Sequence, residues 1–269
     1  MAPEAKVTAA TLLARKRTGE RVAVLTAYDV VFARLADGAG IDVVLVGDSL
    51  GMVIQGERST LGVTLDEMVY HTRIVSRGIA RAHLVADMPF MSYQASIEDG
   101  MRAAGRLMKE GHAEAVKLEG GEPVAELARR LVQAGIPVMG HVGLTPQSIH
   151  QLGGFKVQGR TEAQRAQILS DARALGDAGA YAIVLEAVPH ALAGEITRAV
   201  PALTIGIGAG VDCDGQVMVM HDLLGLQPSW KPRFVRRYAE MGKGVGDAFA
   251  AYAADVRAGK FPAAEETYE

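Results

Sequence analysis

Six residues suited to acid–base or metal chemistry occupy equivalent places in the chain: Asp48, Asp87, Lys117, Glu119, His141 and Glu186 all close short runs rich in β-branched residues. Lys117 and Glu119 are two apart, so on a strand they share one face while Val116 and Leu118 take the other. Taken singly, Asp48 or Asp87 reads equally well as a turn or cap residue. Taken together, carboxylates gathered at one place repel one another, and Lys117 alone supplies too little positive charge to hold them. A divalent cation is the natural counter-ion. With no HxH or HExxH spacing the donors are oxygens, which suits Mg²⁺ and disfavours zinc. Glu186 follows Ile183-Val184-Leu185. A carboxylate leaving such a run is partly desolvated, which raises its pKa and suits a general base; a surface Glu at a strand end is the alternative. His141 is available to orient substrate or act as an acid, against the competing reading of a satisfied structural histidine. Gly206-Ile-Gly-Ala-Gly210 either binds phosphate through backbone amides or only permits a tight turn.

The elements that must position these groups are eight candidate strands. They start at Arg21, Asp42, His83, Ala115, Ile136, Ala182, Leu203 and Gln216, and longer stretches of helical period separate most of them. That alternation predicts an α/β protein with a parallel sheet, and eight strands close a (β/α)₈ TIM barrel, read as one domain over 1–269 with short terminal extensions. In such a barrel the C-terminal strand ends converge on one mouth, so the six residues are expected to meet there. Thr64 with Glu67 and Thr161 with Gln164 match the capping box, and Ser96 with Asp99 is a looser version. Leu65, Met68, Val69, Ile74 and Ile79 follow the first cap at helical spacing, and Ile97, Met101, Ala104, Leu107 and Met108 follow the third. Only about ten residues separate Ile205 from Val217, too few for a full crossover, so a helix is missing or shrunken there. Gly153 to Gly159 has no clear period and predicts a long shaped loop.

Composition narrows the function. The 269 residues are 49% hydrophobic and 22% charged, enough apolar surface for a sizeable core. Lys and Arg number 28 against 31 Asp and Glu, a net charge of −3 with no basic stripe, which argues against a nucleic-acid partner. The one cysteine, Cys213, cannot form an internal disulfide and fits a reducing compartment. The basic cluster Arg15-Lys16-Arg17 follows a short apolar stretch rather than preceding a long one, so no export signal is visible, and no apolar run is long enough to span a bilayer. A cytoplasmic protein is expected.

The stretches Val46-Gly-Asp-Ser-Leu-Gly-Met52, Ala86-Asp-Met-Pro-Phe-Met91, Val116-Lys-Leu-Glu-Gly-Gly121, Gly140-His-Val-Gly-Leu-Thr-Pro-Gln147, Gly153-Gly-Phe-Lys-Val-Gln-Gly159, Val184-Leu-Glu186, Gly206–Gly210 and Asp214-Gly-Gln216 carry a resemblance. In this order, from about Val22 to Tyr238, the chain resembles the ketopantoate hydroxymethyltransferases of pantothenate biosynthesis. The resemblance implies a (β/α)₈ barrel, a homodecamer, Mg²⁺, and hydroxymethyl transfer from 5,10-methylenetetrahydrofolate to the 2-oxo acid 3-methyl-2-oxobutanoate. It implies that Asp48 and Asp87 ligate the metal, with Glu119 as a third metal-site carboxylate acting directly or through water. Ser49 and Lys117, together with Asp48 and Asp87, then contact substrate, and Glu186 accepts the proton. Met88 stands where Leu is common in the family and Val211 where Asn is common. Two other readings stay open. One is a Mg²⁺-dependent 2-oxo acid carbon–carbon lyase or phosphoenolpyruvate mutase-like enzyme, which typically carries a cysteine-containing loop that Cys213 does not reproduce. The other is a non-catalytic barrel, which has no reason to keep these carboxylates together.

Overall fold

The computed structural model describes residues 5–227 and 232–268 of the chain. They fall into two compact units, Met1–Val219 and Met220–Glu269. The ends of the 1–269 span read as one domain lie outside the described residues.

The first unit holds the whole sheet. Strands β1 (Val22–Thr26), β2 (Val43–Val46), β3 (His83–Asp87), β4 (Ala115–Glu119), β5 (Val138–Gly143), β6 (Ala182–Glu186), β7 (Leu203–Ile207) and β8 (Gly215–Met218) pair in that order, all parallel. Pairing of β1 with β8, Val22 opposite Gly215 through Leu25 opposite Met218, closes the barrel. Every expected strand is present. Helices α1 (Ala9–Thr18), α2 (Val30–Gly38), α3 (Leu50–Val53), α4 (Leu65–Ser76), α5 (Ile97–Lys109), α6 (Glu122–Gln133), α7 (Ile149–Leu152), α8 (Glu162–Asp177) and α9 (His190–Ala199) occupy the connections. No helix separates β7 from β8, as the short spacing requires. The second unit contains α10 (Met220–Leu223) and α11 (Met241–Arg257). Among the described residues no helix is long and apolar enough to cross a membrane.

The caps form as their residues dictate. Thr64 accepts from the Glu67 N–H while the Glu67 carboxylate reaches back to the Thr64 N–H, and Thr161 with Gln164 does the same for α8. Ser96 accepts from the Asp99 N–H at the start of α5. Of the apolar positions expected on α4, Ile79 lies beyond the helix, which stops at Ser76. The Gly78 N–H there turns back to the Val75 carbonyl, a tighter turn than the helix. The expected loop is there, irregular from 153 to 161, and a 3₁₀ turn at Pro146–Ser148 followed by α7 leads into it.

Strand alternation sorts the core into two layers. Val24, Leu45, Val85, Ala115, Met139, Val184, Ile205 and Val217 fill the barrel interior. Val116 and Leu118, the intervening residues of β4, are fully buried outside that cluster, toward the helices. Val7 and Leu12 join the interior cluster, so α1 and the segment leading into it close the end opposite the strand C-termini. Salt bridges tie down that floor. Lys6 Nζ lies 2.9 Å from Glu114 Oε1, and His83 Nδ1 lies 3.3 Å from Glu114 Oε2, which also accepts from the Leu84 N–H at 2.9 Å.

Burial pushes the Glu114 carboxyl up, but hydrogen bonds from His83, Lys6 and the Leu84 N–H outweigh it and hold it at about 2. A carboxyl lower in the folded than in the unfolded chain contributes stability that is complete above its ordinary value of 4.5 and is lost as pH falls toward 2. Glu114→Gln is therefore expected to lower the melting temperature at pH 7. Melting curves from pH 7 to pH 2.5 should show the gap to wild type narrowing below pH 4.5; a constant gap would mean that the charge of Glu114 contributes nothing.

Candidate active site

At the C-terminal end of the barrel the inward positions change from apolar to charged. Asp48, Asp87, Lys117, Glu119 and His141 are all buried, none more than 6% exposed. Glu186, at the end of β6, is half-buried at the same mouth. The structure thus brings all six sequence-selected residues into one cluster.

Contacts run strand to strand. The Asp48 N–H donates to Asp87 Oδ2 at 3.0 Å. Lys117 Nζ stands 3.2 Å from Asp87 Oδ1 and 3.9 Å from Glu119 Oε1, because residues two apart on β4 share the inner face. It also lies 3.2 Å from His141 Nδ1. His141 bridges two carboxylates, with Nδ1 at 3.4 Å from Glu119 Oε1 and Nε2 at 3.2 Å from Glu186 Oε2. A Cβ at Gly47 would come within 2.7 Å of Ser49 Oγ, so a side chain there would displace that hydroxyl. The residue after Glu186, Ala187, takes the left-handed region at φ 47°, a cost local backbone bonds must offset. Its N–H donates to Ile207 O and its carbonyl accepts from Gln158 N–H, which fixes the turn beneath the carboxylate.

The electrostatics are unbalanced. Burial, then Asp87 and Glu119, push Asp48 well above the usual carboxylate range. Burial also raises Asp87, although Lys117 and the Asp48 N–H pull against it. Burial acts on Glu119 in the same sense, yet hydrogen bonding and charge from His141 and the Lys117 ammonium leave it below its ordinary value. Lys117 is desolvated but surrounded by Asp87, Glu119 and Asp48, which hold its proton more firmly than in water. Burial and Lys117 depress His141, whereas Glu119 and Glu186 raise it to about 9. At full ionisation four carboxylates face two cations, a deficit of two positive charges.

Sequence reasoning missed three residues that brace this cluster. Gln147 is 6% exposed, and its N–H donates to Glu119 Oε2 at 2.9 Å. Its Nε2 donates to Asp48 Oδ2 and to Met88 O, both at 2.9 Å. Tyr93 accepts the Glu119 N–H at 3.0 Å and donates to Gln147 Oε1 at 2.8 Å. Tyr28 lies 2.8 Å from Ser49 Oγ, a hydroxyl that caps no helix. Gln147 ends the quoted Gly140–Gln147 stretch, but nothing in its spacing distinguished it from a loop amide. The Gly206–Gly210 turn, by contrast, is filled by the chain itself: Gln216 Nε2 donates to Gly210 O at 2.8 Å, and a Cβ at Gly206 would come within 3.0 Å of Cys213 Sγ. This packing favours the tight-turn alternative.

The donor set fits a small hard cation. Asp48 and Asp87 present carboxylate oxygens, the buried Asp87 Oδ1 meets the Lys117 ammonium at 3.2 Å without a well-directed hydrogen bond, and the missing charge is that of one divalent ion. Among the described residues no group of three or more His, Cys, Asp and Glu side chains is placed to hold an ion. Glu119 Oε2 accepts from the Gln147 N–H and Oε1 faces both His141 and Lys117, where Asp87 Oδ1 faces Lys117, so Asp48 and Asp87 would ligate and the rest of the shell would come from water or substrate.

The ketopantoate hydroxymethyltransferase family matches residues 6–264, nearly the whole chain. The chain belongs to that family. A 3-methyl-2-oxobutanoate hydroxymethyltransferase of Syntrophotalea carbinolica is 58% identical over 253 residues, 94% of this chain and 95% of the relative. The Moorella thermoacetica enzyme of the same name is 55% identical over 269 residues, all of both chains. Among solved structures, a phosphonopyruvate hydrolase superposes with a TM-score of 0.64 at 12% identity, covering 99% of this chain and 92% of its own. A 2,3-dimethylmalate lyase of the PEP mutase/isocitrate lyase superfamily gives 0.61 at 19% identity, covering 98% and 93%. These two share the barrel; the lyase reading finds no support beyond that fold in a chain whose sequence relatives are hydroxymethyltransferases.

Removing Lys117 would leave Asp87 buried beside Asp48 without its cation, a change that typically costs about 3–5 kcal/mol. Lys117→Met should therefore lower the urea midpoint strongly at pH 7.5. The loss should shrink at pH 5, because protonation of carboxyls already raised in the folded state relieves the repulsion. An equal loss at both values would point to packing alone.

Proposed function

We propose that this chain transfers a hydroxymethyl group from 5,10-methylenetetrahydrofolate to 3-methyl-2-oxobutanoate, giving 2-dehydropantoate, with Mg²⁺ held by Asp48 and Asp87. The observation that carries the reading is the buried cluster at the barrel mouth, short of two positive charges, in a chain of this family. A bound divalent ion would supply Lewis acidity to a chelating 2-oxo acid.

The remaining work falls to the chain's own residues. Glu186, half-buried and 3.2 Å from His141, is the base that takes the C3 proton of the keto acid. Lys117 stays protonated beside Asp87 and offsets negative charge growing on the enolate oxygen. His141 steadies Glu186 from the other side, and Ser49, oriented by Tyr28, contacts substrate. Glu119 acts through water, since Gln147 and His141 already engage it. The enolate carbon attacks the methylene carbon of the folate donor. Overall, two C–N bonds of that carbon give way to one C–C and one C–O bond. Water provides the oxygen, and the C3 proton with one proton of water ends on the two folate nitrogens. Assembly into a homodecamer belongs to the same reading, and light scattering showing a 28.4 kDa particle would refute that part. The buried, unpaired Cys213 suits a reducing cytoplasmic setting.

Exchange of the C3 proton of 3-methyl-2-oxobutanoate in deuterated water, followed by NMR, tests the proton step without the folate. Wild type with Mg²⁺ should exchange it, a chelator should stop the exchange, and adding 5,10-methylenetetrahydrofolate should yield 2-dehydropantoate. Glu186→Gln should lose exchange while keeping Mg²⁺ and keto-acid affinity; unchanged exchange removes Glu186 from the base role. Asp48→Ala and Asp87→Ala should weaken Mg²⁺ binding first, and wild-type affinity in both would remove them as ligands.

A further inference from the structure

The three carboxylates nearest the proposed cation share a pattern: each has one oxygen committed to a protein N–H. Asp48 Oδ2 accepts from Gln147 Nε2 at 2.9 Å, Asp87 Oδ2 from the Asp48 N–H at 3.0 Å, and Glu119 Oε2 from the Gln147 N–H at 2.9 Å. Gln147 supplies two of the three donors. Its carboxamide cannot turn over. Nε2 faces two acceptors, Asp48 Oδ2 and Met88 O, while Oε1 faces two donors, the Tyr93 hydroxyl at 2.8 Å and Gln94 Nε2 at 2.9 Å. A flipped amide would set its oxygen against two acceptors, Asp48 Oδ2 and Met88 O, so the N–H toward Asp48 is fixed by its surroundings.

We propose that Gln147 is a positioning residue that sets cation selectivity: by occupying Asp48 Oδ2 it leaves Asp48 one oxygen for the ion and so favours Mg²⁺ over Ca²⁺. The inference rests on the metal reading of Asp48 and Asp87 given above. Its physical basis is the difference in what the two ions require. Mg²⁺ demands a tight octahedron at about 2.0–2.1 Å and takes one or two carboxylates with several waters, whereas Ca²⁺ collects about 6–8 oxygens and readily takes a carboxylate through both. Asp87 is limited in the same way by a backbone donor, the Asp48 N–H. Asp48 is limited by a side chain, so the discrimination at that ligand can be changed by one residue. Tyr93 belongs to the same device, because its hydroxyl holds the Gln147 carboxamide in place at 2.8 Å while also bonding the Glu119 backbone.

The test is direct binding of Mg²⁺ and of Ca²⁺ by calorimetry, without substrates, to wild type, Gln147→Met and Tyr93→Phe. Methionine keeps the length and the Gln147 backbone donor to Glu119 but has no N–H to give Asp48. In Gln147→Met the Mg²⁺ affinity should fall about 10–100-fold, the usual cost of losing a hydrogen bond to a metal ligand. Ca²⁺ affinity should hold or rise, so the preference for Mg²⁺ collapses. Tyr93→Phe keeps Gln147 and should shift the preference in the same direction by less, which keeps the proposal testable if Gln147→Met folds poorly. Equal losses for both ions in both variants overturn the proposal and leave the metal site standing. No binding of either ion to wild type overturns the metal reading and this inference with it.

Discussion

Four carboxylates and two cations are enclosed at one end of a barrel whose interior below them is mostly hydrocarbon, and the rest of the structure answers to that imbalance. Charges in such a place cannot rely on water, so each must find a partner or shift its proton. Among the described residues Lys117 is the one cation that reaches both Asp87 and Glu119, and His141 spreads what remains between Glu119 and Glu186. Asp48 has neither within its hydrogen-bonding reach; its neutral partner is Gln147. The carboxyl with the weakest compensation is thus also the one best disposed toward an added cation.

What lets a fold carry this load is the separation of its two ends. Below the mouth, Val85, Ala115, Met139 and Val184 pack without polar atoms, and β4 itself passes from Ala115 to Lys117 to Glu119 along one inner face. Ion pairs at the floor do their stabilising at the end opposite the site. Stability contributed there offsets the unfavourable concentration of charge at the mouth, the usual relation between a scaffold and a strained functional site.

Much of this was legible in the sequence because it depends on local rules. A β-branched run bounded by Gly or Asp is a strand whatever surrounds it, and a strand's last polar residue lies at the barrel mouth by topology alone. Asp48, Asp87, Lys117, Glu119, His141 and Glu186 were found in this way. Gln147, Tyr93 and Tyr28 were not, because their roles come from contacts across loops. Gln147 meets Asp48 across 99 residues and Tyr93 across 54, and neither separation leaves a trace in spacing. Ile79 failed for a related reason: its spacing continues the α4 period, but the backbone turns at Gly78.

The ring closes between the first strand and the last. Val22 to Leu25 pair with Gly215 to Met218, and beside that seam Lys16 of α1 reaches Asp214 Oδ2 at 2.8 Å, where a helix between β7 and β8 is missing. A chain emerging from the ribosome has therefore made every charged residue of the mouth before it has made the strand that completes the wall. Until then β1 presents an unpaired edge, and contacts of such long range form slowly. The barrel wall of this protein stays open until its eighth strand is made, and through that interval the edge of β1 is available to a strand of another copy.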